Sequence, residues 1–226
     1  MGIAENLDAV RGKILVASQL AGRPVDAVRL IAVSKTHPVA AVRAAMAHGQ
    51  VDFGENRVQE LVEKQAAVPT AQWHMIGTLQ RNKVRQIAGF IHLIHSVDNA
   101  RLLEEIDRQA AAHGRVIDCL LQINISDEAQ KSGMDESEAA ELLEKISEFP
   151  HVRILGLMGM AEFTDDMAVV RGQFLRLAEA RERLRAFEGK QVMLDELSMG
   201  MSGDYEVAIA TGATLVRVGS SIFGSR

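Results

Sequence analysis

Lys35 ends the apolar run VRLIAVSK (28–35) and is the first residue along the chain with distinctive chemistry to offer. At the end of a buried strand an ammonium loses part of its hydration, which disfavours the charged form. A neutral amine is the nucleophile that Schiff-base formation requires. Taken alone, the residue is more simply read as a solvated lysine at a strand end.

Two small-residue loops offer the second kind of chemistry. Gly200-Met201-Ser202-Gly203 and Gly219-Ser220-Ser221 both follow late apolar runs and present backbone N–H groups and hydroxyls, the donors a phosphate needs. Either loop alone is ordinary turn chemistry. Arg217 lies in LVRVG (215–219) between valines. A buried arginine keeps its charge, so it must meet either a carboxylate or a ligand acceptor such as a ring nitrogen.

Other polar residues offer less. His74 beside Trp73 is more readily a satisfied core histidine than a catalyst. The seven histidines form no HExxH and the single Cys119 no CxxC, so no zinc site is expected. Met158, Met160, Met199 and Met201 read as barrel or pocket packing. RLAEARERLR (176–185) reads as a solvated helix face. Neither GxGxxG nor GxxxxGK[ST] occurs.

The elements that must carry these residues alternate. Short apolar runs at 28–35, 51–54, 73–76, 91–95, 116–124, 153–158, 192–197 and 214–218 read as buried strands. Amphipathic stretches at 3–20, 38–48, 57–67, 79–87, 99–112, 135–148, 166–187 and 204–210 read as helices. Parallel strands need crossovers that helices supply. Eight such units predict a single α/β domain over residues 1–226: a closed (β/α)₈ barrel with one extra helix before it. An open doubly wound sheet is the alternative. In a barrel, Lys35, both loops and Arg217 all fall at the C-terminal ends of strands, where chemistry is expected, with a phosphate site after strands 7 and 8.

Composition sets the outer bounds. Of 226 residues, 47% are apolar and 24% charged, which is ordinary for a globular chain and excludes a collagen or a wholly disordered one. With 25 basic and 30 acidic residues the net charge is −5, so no nucleic-acid partner is expected. One cysteine favours a reducing compartment. No signal-peptide stretch and no long uncharged apolar run is present, so the expectation is a cytoplasmic protein with no membrane partner.

AVSKTHP (32–38), DFGENRVQE (52–60), WHMIGTLQRNK (73–83), HSVDNARL (95–102), INISDEAQKSG (123–133), GLMGM (156–160) and LSMGMSGDYEVAIATGATLVRVGSSIFG (197–224) together resemble the YggS/PROSC family of pyridoxal 5′-phosphate (PLP)-binding proteins. The resemblance implies the fold type III barrel of alanine racemase's N-terminal domain. It implies Lys35 as the covalent aldimine anchor, and Ser202, Gly219 and Ser220 as the phosphate cradle. Arg217 would face the pyridine nitrogen, with Asn56 and His74 lining the pocket. Arg57 and Ser220 depart from the family pattern, which often has Tyr and Thr there; a serine keeps the hydroxyl, whereas Arg57 leaves the local contacts open.

Binding PLP does not by itself make an enzyme. The resemblance implies a non-catalytic carrier acting in PLP (vitamin B6) and amino/keto-acid homeostasis, monomeric, with PLP-requiring apoenzymes as recipients. A weak amino-acid racemase is the alternative. Two-face racemisation would need a tyrosine from a second domain, and the only tyrosine, Tyr205, falls beside the phosphate-side loop. A Schiff-base aldolase acting on a phosphosugar is a third reading, and the family motifs count against it.

Overall fold

Aliphatic runs too short for helices, each set between amphipathic stretches, pair side by side into a closed sheet. A computed structural model of the chain describes residues 2–126 and 133–224. Its strands are β1 (Arg29–Val33), β2 (Asp52–Glu55), β3 (Gln72–Met75), β4 (Leu93–Val97), β5 (Ile117–Gln122), β6 (Val152–Met158), β7 (Val192–Ser198) and β8 (Leu215–Val218). All pair in parallel in sequence order, and β8 returns to β1 through Arg29–Leu215 to Ala32–Val218 to close the barrel. The closed parallel sheet answers the choice left open by the sequence in favour of the (β/α)₈ barrel over an open sheet.

The helices are α1 (Ile3–Leu20), α2 (Val39–Ala47), α3 (Val58–Ala67), α4 (Ala100–Ala112), α5 (Glu136–Glu144), α6 (Met167–Leu184), α7 (Tyr205–Ala210) and α8 (Ser220–Phe223). The helix after β8 is a single turn and cannot shield the seam where the barrel closes. The extra helix α1 does so instead, packing against α2, α7 and α8. Its buried stripe Leu7, Val10, Ile14 and Ala17 is the one its periodicity predicts.

Besides shifts of a few residues at the ends of elements such as β1, three differences from expectation stand out. The stretch 79–87 forms a 3₁₀ helix over Arg81–Gln86, because a segment this short between Leu79 and Gly89 is pinned by buried Val84 and Ile87 before an α-helix can propagate. Strand β4 lies two residues later than 91–95, which puts His95 in mid-strand rather than at its end. The one-turn α8 was not anticipated.

Strand alternation divides the buried residues into two sets. The larger cluster fills the space between sheet and helices, with Phe53, Trp73, Ile94 and Phe174 among its members. A smaller one of Ile31, Leu93, Leu120, Met158 and Leu215 fills the barrel interior. Gly156 permits the irregular β6–β7 pairing, since a Cβ there would lie 1.9 Å from the Glu196 carbonyl oxygen.

Candidate functional site

Lys35 sits in the turn between β1 and α2, two residues past the end of the strand, and is exposed. The desolvation argued from the sequence therefore does not hold: the strand ends at Val33, so the amine projects at the open end of the barrel. What holds the turn is buried beneath it. Lys64 of α3 donates to the Ser34 carbonyl at 2.7 Å and to Glu55 Oε1 at 2.7 Å, and Ser34 Oγ donates to the same carboxylate oxygen at 2.7 Å. Burial raises the Glu55 carboxyl above its usual range, with the Lys64 and Ser34 bonds pulling it back. Glu60 Oε2 accepts the Thr36 N–H at 2.7 Å, which supports Thr36 at φ +66°, a conformation that costs a β-branched residue energy. The turn that presents Lys35 is thus clamped from β2 and α3.

The phosphate-side loops meet each other. Ser202 Oγ accepts the Gly219 N–H at 3.2 Å, so its own hydroxyl hydrogen remains for a ligand. Gly219 packs closely on β1, since a Cβ there would lie 3.1 Å from the Val33 carbonyl oxygen. Gly200 takes φ +89° and leaves no room beside Ala208, which brings the following residues round toward β8. Asp204 closes that loop by accepting the Met201 N–H at 2.5 Å, and burial raises its carboxyl.

Arg217 is 4% exposed on β8, donating to Ser198 Oγ at 2.5 Å and to the Gly159 carbonyl at 3.2 Å. Burial lowers its pKa to about 10, with the Asp204 charge opposing, so it stays charged at neutral pH. Asn56 is fixed by close approach: a Cβ on Gly77 would lie 2.5 Å from the Asn56 carbonyl oxygen.

Lys35, Asn56, Ser202, Arg217, Gly219 and Ser220 all line one cavity of about 550 Å³ at the C-terminal mouth of the barrel, within the range of small-ligand sites. It offers the Lys35 amine, the Ser202 and Ser220 hydroxyls beside tight backbone turns and the Arg217 guanidinium, with Thr164 and the acidic Glu162, Asp165 and Asp204 also on its wall. The amine, hydroxyls and guanidinium suit a ligand carrying an aldehyde, a phosphate and a ring acceptor. His74 is the exception among the residues singled out. It is fully buried inside the barrel, bonded to Asp52 at 2.9 Å and His95 at 3.0 Å, and lies outside the cavity lining. Residues 127–132 of INISDEAQKSG lie outside the described residues. The sequence places Glu55, Ser198 and Asp204 at strand ends without assigning them a part, and Lys64 was missed. For Lys64 the only signal was its place one turn after Glu60 on a face whose other members, Val58 and Leu61, are apolar.

Residues 6–226 match the family model described as alanine racemase, N-terminal domain. The pyridoxal phosphate homeostasis protein of Pseudomonas aeruginosa is 43% identical over 226 residues, covering 99% of this chain and 96% of that protein. The chain belongs to the pyridoxal phosphate homeostasis protein family. Within that family, Synechococcus elongatus PipY, solved with PLP bound, is 41% identical with a TM-score of 0.85, covering 98% of this chain and 100% of that one. Alanine racemase from Streptomyces lavendulae is 22% identical with a TM-score of 0.73, covering 97% of this chain and 58% of that one, and shares the family's barrel.

Proposed function

We propose that this chain is a PLP carrier of the homeostasis family, with the cofactor anchored covalently on Lys35 at the barrel mouth. The observation that carries the reading is the convergence of Lys35, Ser202, Gly219, Ser220 and Arg217 on one cavity, although they come from segments at both ends of the chain. PLP bound here supplies a reactive aldehyde, a phosphate dianion and a pyridine ring.

Each residue has a defined part. Lys35 provides the amine that bonds the aldehyde carbon, one water leaving. Ser202 and Ser220 offer hydroxyls, and the loops backbone donors, to the phosphate. Arg217, buried and charged at neutral pH, would hold the ring nitrogen as a donor that does not give up its proton. Asn56 lines the same wall. His74 acts from behind rather than by touching the ligand.

Carriage rather than racemisation is supported by Tyr205. The chain's only tyrosine is 4% exposed at the start of α7 and lies outside the described lining of the cavity. A cavity mouth edged by exposed Lys35, Met160 and Met201 suits exchange of the cofactor with PLP-requiring apoenzymes. We infer a monomer working in the cytoplasm; among the described residues no helix is long and apolar enough to cross a membrane.

The test is the visible absorbance spectrum after incubation with PLP and desalting. A retained band that Lys35→Ala abolishes, with borohydride reduction fixing the label on Lys35, is the expected result. A featureless spectrum, or a label at another lysine, overturns the assignment.

A further inference from the structure

A continuous hydrogen-bonded thread crosses the inside of the barrel. It begins at Asp52, where β2 starts at the N-terminal end, and passes from Asp52 Oδ1 to His74 Nε2 at 2.9 Å. His74 Nδ1 meets His95 Nε2 at 3.0 Å, His95 Nδ1 meets Ser198 Oγ at 2.8 Å, and Ser198 Oγ accepts from Arg217 at 2.5 Å. Asp52 also borders a cavity of about 320 Å³ at the N-terminal end, so the thread spans the barrel between two cavities.

We propose that Asp52, His74, His95 and Ser198 are positioning residues for Arg217, with Asp52 its remote counter-charge and every hydrogen bond between them running in one sense, from guanidinium to carboxylate. The sense follows from donor and acceptor chemistry. A carboxylate only accepts, so His74 carries its hydrogen on Nε2. A neutral His74 then accepts on Nδ1, so His95 donates from Nε2 and accepts on Nδ1. Ser198 must give its hydroxyl hydrogen to His95, leaving its oxygen to accept from Arg217, which can only donate. No donor faces a donor along the thread.

Both imidazoles are neutral on physical grounds as well. Each is completely buried, and burial lowers both pKa values; Asp52 pulls against this at His74, while the Arg217 charge adds to it at His95. Three other ionisable groups stand near the thread: Arg29, Asp204 and the half-buried His92, whose ring lies 5.1 Å from that of His74 and whose pKa burial lowers. Arg29 is committed to Glu196 at 2.8 Å, and Asp204 attracts Arg217 but directs Oδ1 to the Met201 N–H. Buried charges need hydrogen-bonded compensation, and two neutral imidazoles supply a polarisable path for it. The consequence for the mouth is an arginine whose orientation is set from the far end of the barrel. Its bearing on the cofactor rests on the function proposed above; the tautomers do not.

The experiment is ¹⁵N NMR of the imidazoles in labelled protein without added PLP, with His74→Gln and His95→Gln assigning the signals. Both rings are expected as single Nε2–H tautomers near neutral pH. An Nδ1–H tautomer or a doubly protonated ring at either position overturns the thread. Asp52→Leu, which removes the terminal acceptor, is expected to abolish the single Nε2–H signature of His74; Ser198→Ala, cut at the other end, should leave both tautomers unchanged while shifting the His95 Nδ1 resonance, which loses its donor. The isosteric Asp52→Asn keeps an acceptor but no charge, so it should retain the tautomers while losing PLP several-fold more readily on desalting. Unaltered retention in Asp52→Asn overturns the counter-charge role. If the unsubstituted protein takes up no PLP while the tautomers are as stated, the carrier reading fails and the thread stands.

Discussion

Lys64 Nζ lies 2.7 Å from Glu55 Oε1, and both side chains are almost wholly buried beneath the turn that presents Lys35. The pair and the Ser34 carbonyl form a platform: one ammonium ties the end of β1 to β2 and α3. The exposed lysine is therefore carried on a buried ionic base, and the two lysines have opposite requirements. Under the proposed function Lys35 would have to be free to react. Lys64 must not move.

Truncating one partner of this pair leaves a buried uncompensated charge. Lys64→Met is expected to lower unfolding stability by about 3–5 kcal/mol, and the double variant Lys64→Met/Glu55→Leu to recover much of the loss. Urea denaturation measures both. A Lys64→Met loss below about 1 kcal/mol would place the pair among weak surface-like bridges instead.

Ser202 bridges the two phosphate-side loops, so its removal acts on both. Ser202→Ala is expected to weaken PLP retention by about 1–3 kcal/mol, the cost of unmatched partners of a charged group. Equilibrium titration of apo-protein by absorbance gives the value, and unchanged affinity would remove Ser202 from the site.

Gly77 has no space for a side chain where the backbone passes Asn56. Gly77→Ala must push the two segments apart, with an expected loss of about 1–3 kcal/mol in stability and a displaced Asn56. Thermal unfolding and PLP titration together test this; a variant equal to the parent in both would show that the contact yields freely.

The buried histidines set a pH dependence of stability. A base whose folded pKa lies below its unfolded value binds fewer protons in the native state, so stability is fully present above the unfolded pKa of about 6.5 and falls as the pH drops below it. Burial places His74 and His95 in this class, with His95 the more strongly lowered. Unfolding free energy is expected to decline from pH 7 toward pH 5, and His95→Gln should flatten part of that slope. A slope identical in the variant would assign the dependence to other groups.

The barrel was legible because its signals are local: each β-branched run and each amphipathic face declares itself within about ten residues. The mouth residues were legible for a related reason, since strand ends and small-residue loops are where a barrel exposes chemistry. His74 was visible as a residue but not as a part. Its meaning depends on Asp52, His95 and Ser198, which come from three other strands, and no spacing within one segment announces such a set. Lys35 shows the converse. A two-residue error in where β1 ends was enough to suggest a partly desolvated amine, whereas the plainer reading, a solvated lysine at a strand end, is the one that matches its exposure. The 3₁₀ stretch at Arg81–Gln86 failed differently, because helical periodicity does not distinguish a tight turn from an α-helix over six residues.

Helix α1 also ties the first element of the chain to the last: Asn6 Nδ2 donates to the Ile222 carbonyl at 2.9 Å, a contact spanning 216 positions. Its apolar stripe rests on α7 and α8, both of which are made after nearly everything else. Residues from the two ends of the chain therefore share one seam, and the loop after β8 that lines the mouth cavity stands beside it, so loosening α1 would reach that loop without touching the cavity itself.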